Sequence, residues 1–244
     1  MTGRETVRLE TGFILHKRPY KNTSELIDCL TKHYGVITLV AQGSRRARSD
    51  RRVVLQPFSL LKLSWIRRGE LGRLTHAEVV PSSLALSGEA VLAGFYLNEL
   101  LLRLMGRDNP NDLVFSCYSQ CLSDLSNLSN TSRSLRLFEL RFLEALGYGL
   151  GLLEDVETGE EIRSDCTYGF ESEYGFTIRT TLDKGSNFFS GRDLISLREE
   201  RLDGLDSLRA AKRLLEYVLS SYLGNRPLST RTVLKDVYAR GLEP

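Results

Sequence analysis

The sequence predicts an α+β protein in which an N-terminal five-stranded OB-fold β-barrel is followed by an α-helical domain with a small acidic insertion. Three observations lead to this prediction. Apolar and polar residues alternate along the first eighty residues, apolar residues recur with helical spacing after Pro81, and an acidic segment interrupts the helical pattern near residue 150. We place the OB-fold domain at 1–80, the helical domain at 81–149 and 193–244, and the inserted subdomain at 150–192.

The N-terminal strands are rich in Val, Ile, Leu, Thr and aromatic residues, and turn-forming residues separate them. Four of them read VRLETGFILHK, VITLVAQG, PFSLLKLSWI and GRLTHAEVV. In the third, Leu61, Leu63 and Trp65 alternate with Lys62 and Ser64, which is the period of a half-buried strand. The segment SELIDCLTKHYG fits a strand or one helical turn, and we favour a strand. About five strands in this length is typical of an OB-type barrel.

Helical spacing predicts five helices, at about 84–105, 112–125, 132–146, 206–224 and 229–239. Ser132 is the expected N-cap of the third helix, and Gly147 is its expected left-handed C-terminal cap. Between Leu153 and Glu173 the insertion carries eight acidic residues and one base, Arg163. This run is most simply a solvated surface, or it repels nucleic acid. The following TYGFESEYGFTI predicts a small hairpin.

Charge is distributed unevenly along the chain. The net charge is only +2, yet residues 1–80 hold 15 Lys and Arg against 7 Asp and Glu, which leaves 18 against 24 in the remainder. This asymmetry indicates that the first part binds a polyanion. No run of eighteen apolar residues is present, and the N-terminus lacks the apolar stretch of a secretory signal. We therefore expect no membrane segment and a cytoplasmic location.

The strongest local signal is GSRRARSDRR, with five arginines in ten residues. It lies in a loop between two predicted strands, and short charge runs of this kind are commonly solvated. Two features favour nucleic-acid binding instead: arginine grips phosphate with a planar fork, and further bases occupy neighbouring turns. The candidate DNA-binding residues are Lys17, Arg18, Lys21, Arg45, Arg46, Arg48, Arg51, Arg52, Arg67 and Arg68. Tyr20, Tyr34, Phe58 and Trp65 are ambiguous stacking candidates, and the phase of Trp65 favours the core.

Catalytic motifs are missing from the sequence. It has three histidines, no HExxH, no phosphate-binding GxxxxGK[ST] loop and no GxGxxG opening a helix. Cys117 and Cys121 lie one helical turn apart, but no further Cys or His completes a metal site, so we expect buried small hydrophobic residues. We predict no enzyme, cofactor or metal. The alternatives are an RNA-binding OB-fold protein and a metal-dependent nuclease that uses the acidic insertion.

Several stretches together resemble the RecO family of bacterial recombination mediators. They are GFILHKRPYKNTSELIDCLTKHYGVITLVAQGSRR, LQPFSLLKLSW, FYLNELLLRLM, LRLFELRFLEALGYG and LRAAKRLLEYVLSSYLGNRPLSTR. The resemblance implies binding of single- and double-stranded DNA, annealing of complementary strands, and action with RecR to load RecA on strands covered by single-stranded-DNA-binding protein. It implies no nucleotide hydrolysis. RecA is then an indirect partner, and we expect a monomer associated with the nucleoid.

The resemblance bears on two further sites. Many members carry a four-cysteine zinc site in the insertion, whereas this insertion holds only Cys166, so we predict that zinc is not bound. The helical domain is expected to receive the acidic, apolar-ended tail of single-stranded-DNA-binding protein. In the matching motif, Arg136 is the candidate for the charges of the tail, and Leu137 and Phe138 are candidates for an apolar pocket. Alternatively, these apolar residues belong to the core.

Overall fold

The computed structural model describes residues 4–46, 49–69, 71–81, 85–127, 130–172, 174–179, 187–224, 228–230 and 233. They form two compact units, one within Met1–Ser129 and Pro227–Pro244 and the other within Asn130–Arg226. The predicted α+β class, with a five-stranded barrel followed by helices, is confirmed. The two units do not coincide with the predicted domain boundaries, and the three-part division stays a prediction.

The barrel of the first unit is built from five strands, β1 (Glu5–Tyr20), β2 (Ser24–Thr31), β3 (Gly35–Ala41), β4 (Leu60–Arg67) and β5 (Gly72–Val79). Their order is β1-β2-β3-β5-β4, and the barrel closes because β1 pairs with both β2 and β4. Two irregularities in β1, between Val7 and Glu10 and between Ile14 and His16, allow one strand to bend around the barrel. The preference for a strand over SELIDCLT is confirmed.

Alternate residues of the strands fill the barrel. Ile27 and Cys29 on β2 and Ile37 and Leu39 on β3 belong to the same buried cluster as Leu61, Leu63 and Trp65 on β4. Trp65 is 1% exposed, so the core interpretation of this residue is confirmed. Each large apolar side chain buried in this way contributes about 1.5–3 kcal/mol of transfer free energy. The intervening residues of β1, β2 and β3 form the outer face of the barrel.

The described part of this unit also contains the helices α1 (Asp50–Val54), α2 (Glu89–Leu104) and α3 (Asp112–Ser126). Phe13 of β1 packs edge-on against Tyr118 of α3, with ring centroids 5.1 Å apart. Asn98 of α2 donates to the carbonyl of Leu15 at 2.8 Å and accepts from the Tyr118 hydroxyl at 2.6 Å. The helices are therefore anchored to β1 by buried hydrogen bonds as well as by apolar contact.

The second unit contains α4 (Thr131–Ala145), α5 (Gly191–Arg198) and α6 (Leu205–Leu223), with a small sheet of β6 (Thr167–Glu171), β7 (Gly175–Ile178) and β8 (Phe188–Ser190) in the order β7-β6-β8. The predicted hairpin is confirmed as β6 and β7. The N-cap prediction for α4 is wrong by two residues, because the Asn130 side chain accepts from the Arg133 amide and leaves Ser132 inside the first turn. Gly147 has a φ of 85°, as predicted for the residue after this helix.

The chain after α6 is described only in part. Ser229, Thr230 and Val233 are helical, whereas the remainder of the helix predicted at 229–239 lies outside the described residues. The Glu99 carboxylate of α2 accepts from the Ser229 and Thr230 amides at 2.8 and 2.9 Å, so α2 supplies the cap of this segment. Among the described helices, none combines the length and apolar character needed to cross a bilayer.

Candidate nucleic-acid interface

Three connections of the barrel meet at one end of it. Tyr20 at the end of β1 pairs with Ser24, and Ala41 at the end of β3 pairs with Glu25. Gly72 at the start of β5 pairs with Arg67 at the end of β4 and with Leu39 of β3. The β1–β2 turn, the segment after β3 and the β4–β5 connection therefore leave the barrel on the same side. In OB folds the β1–β2 and β4–β5 loops flank the ligand-binding face.

A groove of ≈ 320 Å³ runs between these connections. We call it the basic trough; its lining residues are Tyr20, Lys21, Val40, Gln42, Ile66, Arg68, Leu71, Gly72 and Arg73. Three cationic side chains from three different places in the sequence meet in it: Lys21, Arg68 and Arg73. Among the described residues, none of the three pairs with a carboxylate. The trough thus presents uncompensated positive charge.

Sequence reasoning identified Lys21 and Arg68 but missed Arg73. The signal for Arg73 was its place directly after Gly72, at the start of a strand that follows the Arg67-Arg68 pair. Its partner in the register is Val40 on β3, through the parallel pairing of β3 with β5. A long-range pairing of this kind is not readable from local composition.

Arg45 lies beside the trough because the chain after β3 folds onto the β1–β2 turn. The Arg45 amide donates to the carbonyl of Thr23 at 3.0 Å, and its Nη1 reaches the carbonyl of Lys21 at 3.4 Å. Arg46 follows with an exposed side chain. Arg48 lies outside the described residues. The structure therefore brings the start of the arginine cluster to the trough.

The end of the arginine cluster is helical, not an open loop as predicted. Arg51 and Arg52 belong to α1, and the Arg51 guanidinium donates to the carbonyls of Gln42 and Thr75 at 3.0 and 3.1 Å. The Lys17 Nζ donates to the carbonyl of Leu55, the C-cap of α1, at 2.7 Å. Arg51 and Lys17 thus position α1 on the barrel, and the exposed Arg52 is left to face solvent.

Arg67 is engaged within the protein. Its Nε lies 3.1 Å from Glu5 Oε2, and its Nη1 binds the Asp108 carboxylate. The side chain is 20% exposed, and the hydrogen bond to Asp108 raises the pKa of the guanidinium. Sequence reasoning grouped Arg67 with Arg68, but Arg67 is the last residue of β4 and pairs within the protein, whereas Arg68 follows the strand and lines the trough. Arg67 holds the α2–α3 connection to the barrel.

The four aromatic candidates for base stacking lie in different surroundings. Tyr20 lines the trough, and the Lys21 Nζ lies 5.4 Å from the centroid of its ring. Tyr34 packs edge-on against the buried Trp65 at 5.1 Å, and Phe58 packs edge-on against Phe95 at 5.0 Å. Of these four candidates, Tyr20 is the one placed to stack on a base in the trough.

The candidate residues for a protein partner are interior. Arg136, Leu137 and Phe138 are 6%, 6% and 1% exposed. Arg136 Nη2 pairs with Glu139 Oε1 at 2.7 Å within α4, and its Nη1 has no hydrogen-bond partner among the described residues. Sequence reasoning assigned Arg136 to the charges of the acidic tail, but this residue lies among the buried residues of α4. A role in docking would require neighbouring side chains to move.

The cysteines do not fit a zinc site. Cys29, Cys117 and Cys121 are buried, and burial with the nearby Asp28 charge raises the pKa of the Cys29 thiol. Cys166 is partly exposed beside Arg163, with Nη2 to Sγ at 3.4 Å. Across the described ranges, no three His, Cys, Asp or Glu side chains form a metal-binding group. A structural zinc site needs four ligands, mostly Cys and His, and Cys166 is the single cysteine of the predicted insertion, which has no histidine.

An OB-fold barrel whose loops gather cations in one groove places this chain in the class of OB-fold proteins with a polyanion-binding surface. Comparison with known sequences specifies the family. The family described as Recombination protein O N terminal matches residues 7–83, and Recombination protein O C terminal matches residues 85–232. The chain belongs to the RecO family of DNA repair proteins.

Relatives from several bacteria carry the name DNA repair protein RecO. The protein of Haemophilus influenzae (strain 86-028NP) is 41% identical over 225 residues, which is 91% of this chain and 94% of the relative. The protein of Photobacterium profundum is 37% identical over 223 residues, with coverage of 91% and 94%. The protein of Nitrosococcus oceani is 39% identical over 235 residues, with coverage of 96% for both chains.

Proposed function

We propose that this protein binds single- and double-stranded DNA through the basic trough and anneals complementary strands. With RecR, it helps to load RecA on strands covered by single-stranded-DNA-binding protein. The convergence of Lys21, Arg68 and Arg73 with Tyr20 in one groove carries the DNA-binding part of the proposal. The annealing and loading roles are those implied by the family. We further propose that the protein acts in the bacterial cytoplasm as a monomer and without catalysis.

Binding through the trough is expected to tolerate any base sequence. Guanidinium and ammonium groups contact phosphates, which carry no sequence information. Tyr20 offers a ring on which any base can stack, and stacking of this kind contributes about 1–3 kcal/mol per base. A protein that anneals strands of arbitrary sequence needs this combination, because it must hold the backbone while leaving base edges free to pair.

The trough is tested by replacing Lys21, Arg68 and Arg73 together with Gln. On single-stranded DNA, log affinity falls as log salt rises, and each lost phosphate contact makes this slope shallower by about 0.7. Three lost contacts therefore make it shallower by about 2. The measurement is fluorescence anisotropy of a labelled oligonucleotide between 50 and 200 mM salt. The matched control replaces Arg192, Arg209 and Lys212, three exposed cations of α5 and α6, with Gln. Equal slopes in the two triple variants would refute the proposal that DNA binds through the basic trough.

Two parallel measurements address the other candidate functions. DNA and RNA of the same sequence, titrated side by side, should bind with similar affinity, because phosphate contacts and base stacking are common to both polymers. A clear preference for RNA would favour an RNA-handling role. Prolonged incubation of DNA with the protein, magnesium and manganese should leave the DNA intact. Cleavage of the DNA would show that the protein is a nuclease.

A further inference from the structure

The outer face of β1, β2 and β3 carries a charged cluster around one buried carboxylate. Asp28 on β2 is flanked in the core by Ile27 and Cys29, so alternation places its side chain on the outer face. Its Oδ2 lies 2.6 Å from Arg18 Nη1 and 3.7 Å from His16 Nδ1, both on β1. Its Oδ1 accepts from Thr38 of β3 at 2.6 Å.

A residue from outside the three strands joins this cluster. Arg107, in the α2–α3 connection, has its Nη2 3.7 Å from Asp28 Oδ1, and its Nη1 donates to the Thr38 hydroxyl. The connection is anchored on β3, since Val36 and Arg107 form a β-bridge and the Asp108 amide donates to the Val36 carbonyl at 3.1 Å. The ion pair between Arg67 of β4 and Asp108 also holds the α2–α3 connection to the barrel.

The cluster exposes its cations and hides its anion. The side chains of Arg18 and Arg107 are 41% and 60% exposed, whereas that of Asp28 is 3% exposed. One carboxylate faces two arginines, so the cluster is net positive. Asp28 restrains the guanidinium groups, which reduces the entropy that they lose when they contact a ligand.

We propose that Arg18 and Arg107 form a phosphate-binding site on the outer face of the barrel, continuous with the basic trough. Arg18 lies two residues before Tyr20 on β1, and both point to the same face, about 7 Å apart along the strand. This distance is close to the spacing of successive phosphates in an extended single strand. A strand seated against Tyr20 therefore passes over Arg18 and then Arg107. This inference rests on the proposed function and adds the α2–α3 connection to the interface.

The test uses Arg107→Gln and Arg107→Lys in the full-length protein. If Arg107 contacts a phosphate, Arg107→Gln lowers the salt slope for oligo(dT) by about 0.7 and weakens binding at 50 mM salt by about eightfold. Arg107→Lys keeps the point charge and retains the slope. The control Arg209→Gln removes an exposed charge from α6 and leaves the slope unchanged.

A purely structural role predicts a different pattern. Both Arg107 variants would then unfold at a lower temperature than wild type, and neither would change the salt slope. An unchanged salt slope in Arg107→Gln overturns the inference that Arg107 contacts a phosphate. The variant in which Gln replaces Lys21, Arg68 and Arg73 distinguishes a failure of the outer-face site from a failure of the proposed function. If the trough variant weakens binding while Arg107→Gln does not, only the outer-face site is wrong. If wild-type protein binds neither single- nor double-stranded DNA, the proposed function itself is wrong.

Discussion

Single buried carboxylates organise local structure in both units. Asp28 gathers cations on the barrel, as described above. In the second unit, Asp155 is 3% exposed, and its carboxylate accepts from the amides of Glu157, Thr158 and Ile178 at 2.8, 2.9 and 2.5 Å. Asp155 therefore ties the turn after residue 155 to β7. In a predicted insertion that holds one cysteine, Cys166, this buried carboxylate links two parts of the chain.

At the residue scale, we predict that Asp155→Asn destabilises the protein. Asparagine replaces one acceptor oxygen with a donor group, which leaves a buried amide without its acceptor at a cost of about 1–3 kcal/mol. Denaturant unfolding followed by circular dichroism measures the loss. Glu157→Gln, an exposed substitution in the same turn, serves as the control. Equal stability of the Asp155 and Glu157 variants would contradict the assigned role.

The same carboxylate predicts a pH dependence. Burial by itself raises the pKa of Asp155, but the hydrogen bonds from Thr158, Ile178 and Glu157 outweigh burial and hold the pKa below its usual range. A lowered pKa in the folded state stabilises the protein above the unfolded-state value of about 3.9. This contribution is lost as the pH falls through the folded-state pKa. The stability difference between wild type and Asp155→Asn should therefore shrink below about pH 4.

At the scale of elements, the α2–α3 connection depends on a close backbone approach. Gly35, at the start of β3, has a φ of 66°, and a Cβ at this position would overlap the carbonyl group of Asn109. Glycine at this position permits both the left-handed conformation and the contact. The contact, the Val36–Arg107 bridge and the Arg67–Asp108 ion pair together place Arg107 over the barrel.

We predict that Gly35→Ala displaces this connection, whereas Gly69→Ala does not. Gly69 has a similar φ of 73°, but a Cβ added there would meet no atom within 4 Å, so its substitution adds conformational strain alone, about 1 kcal/mol. Gly35→Ala adds a steric clash to the same strain and should lower the unfolding free energy further. Amide exchange of Asp108, which donates to Val36, reports the displacement directly. Similar losses in the two variants would argue against the close approach.

At the scale of the whole molecule, the two units carry net charges of opposite sign. The first unit's ranges hold 20 Lys and Arg against 14 Asp and Glu, and the second unit's range holds 13 against 17, which together give the net charge of +2. Positive charge therefore accompanies the barrel, and the acidic segment belongs to the unit that contains α4. This division is consistent with the proposed contact of DNA with the first unit.

Annealing of strands with and without bound single-stranded-DNA-binding protein tests this division in the full chain. Arg136→Lys keeps the charge beside the buried Glu139 but loses the planar fork that grips a carboxylate. If Arg136 receives the acidic tail, annealing of coated strands falls while annealing of naked strands is retained. Arg141→Lys, on the same helix and paired with Glu200, is the control. Equal losses on both substrates would indicate a folding defect and remove Arg136 from the partner site.

The sequence by itself determined the class of fold, the five barrel strands, the helices α2, α3, α4 and α6, and the end of the chain that carries positive charge, because periodicity and composition are local properties. It also identified Lys21 and Arg68. Tertiary structure decided which cations act together: β3–β5 pairing brought Arg73 to the trough, Asp108 engaged Arg67, the α2–α3 connection delivered Arg107, and core packing enclosed Arg136. Each of these outcomes depends on contacts between residues distant in sequence, and the identity of a side chain does not specify its partner across the fold.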